Sequence, residues 1–281
     1  MTTTLLIDGD LFAYRAAAAE EKATDFGDGQ FVLSADADNG IANLDETLEG
    51  FQKVLEADRV IVTISDARNF RKEVMPSYKS NRKDVRRPMI LPALLQHLKD
   101  NYETFIRPGL EADDVMGILA TNSKVVKGRK IVVTSDKDLR TVPGLHWDPD
   151  KEGETKDKEP TFVTEAEADR LFYAQALSGD SVDGYSGCPG IGKARAAALV
   201  AEPVRLVYSE TEVKRGPNKG TMRGRWLSEP TTNIWECIVT HYQKAGLTED
   251  DALVNARVAR ILRHEDYDYK RKEPILWQPS A

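Results

Sequence analysis

Acidic side chains recur where predicted buried strands give way to helices or turns. These strand-end acids are Asp8, Asp66, Glu111, Asp113, Asp114, Asp136 and Asp138. A parallel sheet brings the carboxyl ends of its strands to one edge, where α/β proteins place their ligands. Carboxylates crowded into one crevice raise one another's pKa, and hard divalent cations are the natural compensation. Two such ions, roughly 3.5–4 Å apart, can activate water for attack on a phosphodiester.

Each strand-end acid also has an ordinary structural explanation when it is taken alone. Asp8 could cap the helix that follows the first strand. The Glu111–Asp114 cluster could stabilise the first turn of a helix through the helix dipole, and Asp136 and Asp138 could be turn residues. Three acids in four positions exceed what a helix cap requires. The combination of acids, and no single residue, therefore predicts the metal site.

A second stretch able to do chemistry runs from Gly179 to Lys193, with the sequence GDSVDGYSGCPGIGK. Asp180 and Asp183 follow a predicted helix over 164–178, and the glycine-rich turn opens an alanine-rich helix over 193–200. The N–H groups of such a turn and of a helix N-terminus attract phosphate. Carboxylates that could bind a metal thus lie within a few residues of amides that could bind a phosphodiester backbone.

The composition is that of an ordinary globular protein, with 281 residues of which 41% are hydrophobic and 30% charged. No apolar run approaches the ~20 residues of a membrane helix, so we expect no membrane association. No secretory signal is visible at the start of the chain. Cys188 and Cys237 make no disulfide framework, which favours a reducing compartment, the cytoplasm.

The net charge of −7 hides an uneven distribution of charge. The segment 69–88 is basic and carries aromatic residues, which suits a surface that tracks single strands, although a solvated loop is the ordinary explanation. The charged stretch 148–160 is expected to be a solvated loop. The stretch 203–232 is rich in Gly, Pro and basic residues, and we expect irregular structure there and a further contact with nucleic acid.

Five motifs, in order, resemble the flap endonuclease / 5′–3′ exonuclease superfamily, and most of all its stand-alone bacteriophage 5′→3′ exonucleases. The motifs are Ile7-Asp8-Gly9 with Tyr14-Arg15-Ala16; Phe70-Arg71 through Pro76-x-Tyr78-Lys79-x-x-Arg82; Glu111-Ala112-Asp113-Asp114; Thr134-Ser135-Asp136-Lys137-Asp138-Leu139; and Gly179-Asp180-Ser181-Val182-Asp183-Gly184 with Pro189-Gly190-Ile191-Gly192. They span residues 3–200. Ser65-Asp66 stands where the family usually has Phe-Asp-Gly.

The resemblance implies an α/β fold with a PIN-like, or resolvase-like, central sheet that is mostly parallel and has flanking helices. A helix–three-turn–helix module for DNA binding would follow. We therefore expect a nuclease domain over residues 1–163, with a helical arch at 69–95 above the active site. The helix–three-turn–helix and a C-terminal helical region would occupy residues 164–281.

The resemblance also implies roles for individual residues. One metal ion would be surrounded by Asp8, Asp66, Glu111, Asp113 and Asp136. A second would be supported by Asp138, Asp180 and Asp183, with Asp136 or Glu111 as the bridge and Asp114 in the outer shell. Lys79 and Arg82, on the arch, would contact the scissile phosphate and join Asp8, Asp136 and Asp183 as catalytic residues. The implied DNA contacts are Arg15, Arg71, Tyr78, Lys83, Gly190, Gly192 and Lys193.

The predicted function is a nuclease dependent on two Mg²⁺ or Mn²⁺ ions, with a K⁺ ion as a candidate at the glycine turn. Its substrates would be duplex DNA with a 5′ end, nick or flap, and RNA–DNA hybrids at primers. We expect a monomer, in the host cytoplasm if phage-encoded. A haloacid-dehalogenase-type phosphatase is the alternative suggested by Asp8-x-Asp10, but it leaves the basic segment unexplained. A non-catalytic DNA-binding protein is opposed by the complete acid set.

Overall fold

The computed structural model describes residues 2–151 and 159–280. Residues 152–158 of the predicted charged loop thus lie outside the described residues. The helices are α1 (Gly9–Ala19), α2 (Ala37–Val54), α3 (Arg71–Val74), α4 (Leu91–Asn101), α5 (Ala112–Thr121), α6 (Glu165–Ser178), α7 (Lys193–Ala201), α8 (Ile234–Lys244) and α9 (Glu249–Ala259). The strands are β1 (Thr3–Asp8), β2 (Lys22–Asp25), β3 (Phe31–Ser34), β4 (Arg59–Thr63), β5 (Glu103–Phe105), β6 (Arg129–Val133), β7 (Gly144–Trp147), β8 (Thr161–Val163), β9 (Val204–Glu212), β10 (Met222–Pro230), β11 (Tyr267–Asp268) and β12 (Glu273–Pro274).

The chain forms two compact units, and neither is continuous in sequence. Unit 1 comprises Met1–Phe70, Arg82–Ala168 and Ile261–Ile275. Unit 2 comprises Arg71–Asn81, Asp169–Arg260 and Leu276–Ala281. The division expected at residue 163 thus lies close to the change of unit after Ala168. Residues 71–81 lie within the expected nuclease domain but belong to unit 2. Residues 261–275 lie within the expected C-terminal region but belong to unit 1.

Unit 1 is built on a six-stranded sheet with the order β5-β4-β1-β6-β7-β8. Every pair is parallel except β7 with β8. Central strand β1 is buried along its whole length, as expected for a parallel strand covered on both faces. In register, Asp8 lies opposite Thr63 of β4, and Ile7 lies opposite Val133 of β6. The carboxyl ends of β4, β1 and β6 therefore meet at one edge.

Helices α1, α2 and α4 cover this sheet with apolar side chains at helical spacing. Leu44 and Leu48 of α2 and Leu94 and Leu98 of α4 are all buried in one core with Phe12 of α1. This packing fixes the start of α1, and with it the acids at the end of β1. The α/β architecture predicted from the motifs, a mostly parallel central sheet with flanking helices, is confirmed.

Unit 2 has its own core, centred on Phe172, Tyr242 and residues of α7 and α9. The Tyr242 hydroxyl donates a 2.7 Å hydrogen bond to the carbonyl of Ala176, which satisfies the polar end of a fully buried ring. Trp277, near the C-terminal end of the described chain, packs edge-on against Phe172 and Trp235. Because α6, α7, α8 and α9 all contribute to this core, the second unit is mainly helical.

One sequence expectation is wrong, and a second segment is less regular than a helical arch suggests. The stretch 203–232 is not irregular, because β9 and β10 pair along nine residues each as an antiparallel hairpin. The segment 69–95, where a helical arch was expected, is only partly helical. It contains the four-residue α3, a short 3-10 helix at Ser80–Arg82 and the start of α4, with non-helical chain between them. Pro76 and Pro88 interrupt the segment and prevent one continuous helix.

In the part of the chain that the structure describes, no helix combines the length and the apolar character needed to cross a membrane.

Candidate active site

Asp8 lies at the junction of β1 and α1 and is almost completely buried. Its carboxylate accepts hydrogen bonds from the Leu11 N–H at 3.1 Å and the Thr134 hydroxyl at 3.1 Å. Burial, together with repulsion from Asp10 and Asp136, raises the pKa of Asp8 to about 6. A helix cap alone would not need two further acids nearby. The strand-end prediction for Asp8 and Asp136 is thus supported by an electrostatic interaction between them.

Asp10 lies beside the strand-end acids, although sequence reasoning did not include it among the candidate site residues. Its carboxylate accepts a 3.0 Å hydrogen bond from the N–H of Ser65, which lies just beyond the end of β4. Burial raises the pKa of Asp10, and the nearby charge of Glu111 raises it further. The signal for it was the alternation Asp8-x-Asp10 at a strand end, which sequence reasoning assigned to a cap or to a phosphatase pattern.

Asp136 and Asp138 follow β6 and begin a short 3-10 helix, Lys137–Thr141. The Asp136 carboxylate accepts the N–H of Asp138 at 2.8 Å, and the Thr134 hydroxyl accepts the N–H of Asp136 at 3.0 Å. Thr134 therefore links the two strand ends, since it also donates to Asp8. Asp136 is exposed and Asp138 is half-buried, so this turn presents carboxylate oxygen at the sheet edge.

Asp66 follows β4, and its carboxylate accepts a 2.8 Å hydrogen bond from the N–H of Gly109. That bond lowers the pKa of Asp66, so the group carries its negative charge at neutral pH. Arg68 lies 3.8 Å away from the same carboxylate. Asp66 thus joins the end of β4 to the loop before α5.

Glu111, Asp113 and Asp114 form the start of α5, as predicted, but the three side chains have different surroundings. Asp114 is fully buried and accepts the N–H groups of Glu111 at 3.2 Å and Leu262 at 3.1 Å. Its carboxylate thus binds backbone inside unit 1, and its predicted outer-shell role stays a prediction. Glu111 and Asp113 are half-buried, and the charge of Glu111 acts on Asp10.

The strand-end acids fit a hard divalent cation in type but do not form a ready-made cage. Within residues 2–151 and 159–280, no group of three or more His, Cys, Asp or Glu side chains is arranged to hold a metal ion. The donors are nevertheless all oxygens, and burial, together with repulsion from neighbouring acids, raises the pKa of Asp8 and of Asp10; a cation would relieve both effects. Mg²⁺ keeps several water ligands and needs only a few direct carboxylates.

The predicted glycine turn lies in unit 2, between α6 and α7. Gly179 and Gly187 both have positive φ, and a Cβ on Gly179 would lie 2.5 Å from the carbonyl oxygen of Tyr185. The two glycines therefore permit a close backbone crossing. Gly190 has a φ of +77°, whereas Gly192 is extended and has open space where a Cβ would lie. Of the two glycines predicted to contact DNA, only Gly190 therefore needs the conformational freedom of glycine.

Asp180 and Asp183 occupy the same turn and differ in their partners. Asp180 is buried, accepts the N–H of Val182 at 2.7 Å, and lies 3.9 Å from the ammonium group of Lys193. Asp183 accepts the Tyr78 hydroxyl at 2.9 Å and lies 3.6 Å from the ammonium group of Lys79. Two predicted catalytic residues, Lys79 and Asp183, are thus neighbours in unit 2.

Lys79 is also held by its backbone. Its φ of +53° is uncommon for a residue with a side chain, and its N–H donates a 2.8 Å hydrogen bond to the carbonyl of Asp183. The ammonium group lies 5.1 Å from the centre of the Tyr78 ring. The position of Lys79 is therefore set by three contacts with two neighbouring residues.

Two residues that were predicted to contact DNA are buried instead. Arg71 is only 2% exposed and donates to the carbonyls of Val258 at 2.8 Å and Arg260 at 2.6 Å. Tyr78 is equally buried, with its hydroxyl bonded to Asp183. Both side chains stabilise unit 2, so neither offers a surface to DNA.

Other predicted DNA contacts are at the surface. Arg15 makes a two-pronged ion pair with Asp150 at 2.7 and 2.9 Å and donates to the Ser135 hydroxyl at 3.3 Å. Arg82 and Lys83 are exposed, and so is Lys193 at the first position of α7. Predicted DNA contacts therefore lie at the surface of both units.

Comparison with known proteins identifies the family of the chain. The family described as "5′-3′ exonuclease, N-terminal resolvase-like domain" matches residues 3–146. The chain is 32% identical to the exodeoxyribonuclease of Enterobacteria phage T3, over 99% of this chain and 93% of that protein. It is 31% identical to the exonuclease of Escherichia phage T7, over 98% of this chain and 93% of that protein.

A solved structure of the 5′-exonuclease of bacteriophage T5 with zinc has a TM-score of 0.51 and 18% identity, covering 71% of this chain and 74% of that one. This likeness supports the fold. The matched residues 3–146 contain β1, β4 and β6 together with all the strand-end acids of unit 1. The chain belongs to the 5′–3′ exonuclease family.

Proposed function

We propose that this protein is a divalent-metal-dependent 5′→3′ exonuclease and flap endonuclease that hydrolyses phosphodiester bonds at the 5′ ends of duplex DNA, at nicks and at flaps. Family membership and the exonuclease relatives support the activity. The relatives also include proteins named flap endonuclease Xni. The phosphatase alternative has no support in these relationships.

The observation that carries the proposal is the convergence of strand ends in unit 1. Asp8, Asp10 and Asp136 come from the ends of two neighbouring parallel strands, and Glu111 acts on Asp10 from the start of α5. Their mutual repulsion is unfavourable unless positive charge is bound. A nuclease needs positive charge at this point, because its substrate and its transition state are anionic.

The protein's own residues would bind the metal ions, orient the ligand oxygens and shield the site. Asp8, Asp66, Asp113, Asp136 and Glu111 are the proposed ligands of one ion, and we add Asp10 to this set. Bound divalent ions would supply an activated water and stabilise the leaving oxygen. Asp8 is kept in place by the Leu11 N–H and the Thr134 hydroxyl, so its oxygens are oriented before any ion binds. No side-chain nucleophile is required.

The second ion, with Asp138, Asp180 and Asp183 as its ligands, remains a proposal from the family resemblance. Lys79 and Arg82 are proposed to stabilise the scissile phosphate by charge. Gly190 and Gly192 would offer N–H groups to a phosphate at the N-terminus of α7, with a K⁺ ion at the turn as a further element. Arg15, Lys83 and Lys193 are the remaining proposed DNA contacts.

The choice of Mg²⁺ over Mn²⁺, action on RNA–DNA hybrids, a monomeric state and a location in the host cytoplasm belong to the same proposal. Oxygen ligands at a partly solvated sheet edge favour Mg²⁺ or Mn²⁺. None of these properties is needed for the argument from the strand ends. Each can be measured on the purified protein.

The test is product mapping on a flap duplex labelled at its 5′ end in one preparation and at its 3′ end in another. We expect cleavage in Mg²⁺, none in EDTA, and release of short products from the 5′ end. Asp136→Asn should abolish cleavage while DNA affinity in Ca²⁺ changes little, whereas the exposed Asp250→Asn is a matched control with wild-type cleavage. Cleavage in EDTA, or products released first from the 3′ end, would refute the proposal.

A further inference from the structure

The β9–β10 hairpin in unit 2 has two chemically different faces. Cross-strand partners share a face, and the faces alternate along each strand. Tyr208 pairs with Trp226 on one face, with ring centres 5.4 Å apart. The Tyr208 ring also covers Gly224, at a position where a Cβ would overlap it. Because the aromatic rings occupy one face, the residues that alternate with them along each strand lie on the opposite face of the hairpin.

The opposite face carries only hydrogen-bond donors in its distal half. Arg223 pairs with Thr211 and Arg225 pairs with Ser209. The acids of this region, Glu210 and Glu212, belong to the aromatic face because their cross-strand partners are Gly224 and Met222. We call Ser209, Thr211, Arg223 and Arg225 the arginine face. It has two guanidinium groups, two hydroxyl groups and no carboxylate.

The arginines of this face differ from the arginine at the base of the same hairpin. Arg205 is neutralised by Glu229 at 2.9 Å and by Glu236 at 3.0 Å. Arg223 and Arg225 are exposed, and no ion pair joins either of them to an acid of the described chain. The charge at the base is used within the protein. The charge of the distal half is available to an external anion.

The surrounding sequence strengthens this contrast. Residues 209–225 contain five basic residues and two acids in a chain whose net charge is −7. Three of the basic residues, Lys214, Arg215 and Lys219, lie in the tip, where Val213 and Thr221 are joined by a 2.9 Å backbone hydrogen bond. The hairpin thus concentrates positive charge at the end farthest from the packing of β9 on α8. At ~3.3 Å per residue, its nine-residue strands extend about 30 Å.

We propose that the arginine face binds the phosphate backbone of duplex DNA and gives the enzyme a DNA contact beyond its catalytic acids and its glycine turn. This inference rests on the proposed nuclease function. Guanidinium groups and hydroxyls are donors that match phosphate oxygens, and arginine forms two-pronged bonds with them. Antiparallel β-ribbons are an established way of presenting side chains to DNA. Backbone contacts of this kind position DNA without reading its sequence.

The proposal predicts a specific change in the salt dependence of binding. Each phosphate contact contributes about 0.9 to the slope of log affinity against log salt concentration. The double variant Arg223→Gln/Arg225→Gln should therefore lower the slope by about 1.8 and weaken binding roughly 10- to 60-fold at about 0.1 M salt. Each single variant should lower the slope by about 0.9. Arg223→Lys/Arg225→Lys should keep the slope, since the charge remains.

The measurement is fluorescence anisotropy of a labelled duplex of about 30 base pairs, titrated with the full-length protein in Ca²⁺ over a series of salt concentrations. Lys124→Gln/Lys127→Gln removes the same charge from exposed positions in a loop of unit 1 and is the matched control. Thermal melting establishes that each variant is folded. If the double variant does not fold, the single variants are used to test the slope instead. The control should keep the wild-type slope.

An unchanged slope in the double glutamine variant would overturn the proposal and leave an acidic protein as the candidate for this face. An equal decrease in the control, or in the lysine variant, would also overturn it, because charge or geometry alone would then explain the effect. Single-turnover cleavage at saturating enzyme tests the nuclease function separately from DNA binding by the arginine face. If the wild-type protein cleaves but the slopes are unchanged, the arginine face is refuted and the nuclease function stands.

Discussion

Replacing Arg71 by methionine distinguishes a structural role from the DNA-binding role that the family resemblance implied. The guanidinium group is buried and donates to the carbonyls of Val258 and Arg260. Methionine can occupy much of the space of the arginine stem but cannot donate a hydrogen bond. Each buried acceptor left without a donor costs about 1–3 kcal/mol, so two carbonyls correspond to about 2–6 kcal/mol. The cation also lies 5.9 Å from the Tyr78 ring centre.

The assay is urea denaturation followed by tryptophan fluorescence, in parallel with duplex binding at low temperature. We expect Arg71→Met to lower the free energy of unfolding by this amount and to leave the affinity of the folded protein for DNA unchanged. Lys72→Met is the matched control, because Lys72 is exposed in the same short helix. It should change the unfolding free energy by less than about 0.5 kcal/mol.

A DNA-contacting Arg71 would give the opposite result. Loss of one phosphate contact lowers the salt slope by about 0.9 and the affinity about 8-fold at about 0.1 M salt, with no effect on unfolding. Wild-type stability together with that loss of affinity would refute the structural interpretation. The two roles therefore differ in which of the two measurements changes.

Three further predictions follow from the geometry. Gly187→Ala should destabilise unit 2, because φ is +64° and a Cβ would lie 2.6 Å from the Leu177 carbonyl oxygen, whereas Gly192→Ala should leave the melting temperature unchanged. Lys79→Ala should lower single-turnover cleavage by roughly 10²–10³-fold with little change in Kd, while Lys72→Ala should change neither. Asp8→Asn should abolish cleavage. It should also stabilise the metal-free protein at pH 7 by up to about 3 kcal/mol, because a carboxyl whose pKa is raised from 3.8 to about 6 by folding destabilises the folded state when it is charged. Urea denaturation should show that this gain in unfolding free energy becomes smaller as the pH falls from about 6 to 3.8, because the wild-type carboxyl becomes protonated in that range. A gain that does not change with pH would contradict this prediction.

The strands that carry the strand-end acids could be predicted because their signal is local. The β-branched sequences of β1, β4 and β6 end at Asp8 or within three residues before Asp66 and Asp136, as predicted, and parallel pairing then brings their ends together. The family and the fold class were predicted from ordered motifs and are confirmed. Both results depend on residues close in sequence, or on patterns that survive divergence.

The features that sequence reasoning missed depend on partners far along the chain. The donors that surround Asp114 include the N–H of Leu262, and the acceptors that bury Arg71 lie at residues 258 and 260. The β9–β10 hairpin was missed for a different reason. Its strands are exposed over most of their length, so they lack the alternation of apolar and polar residues that marks a half-buried strand.

Asp8 and Asp114 show why residue type and spacing could not distinguish acids that have different surroundings. Both lie at a helix start, both are buried, and both belong to a family motif. Asp114 accepts two backbone N–H groups, which offset the cost of burying its charge. Asp8 accepts one N–H and one hydroxyl but also experiences the repulsion of Asp10 and Asp136. A buried acid whose oxygens accept backbone N–H groups is stabilised by them, whereas a buried acid beside other acids would be stabilised further by a cation, which is the arrangement that the proposed metal site uses.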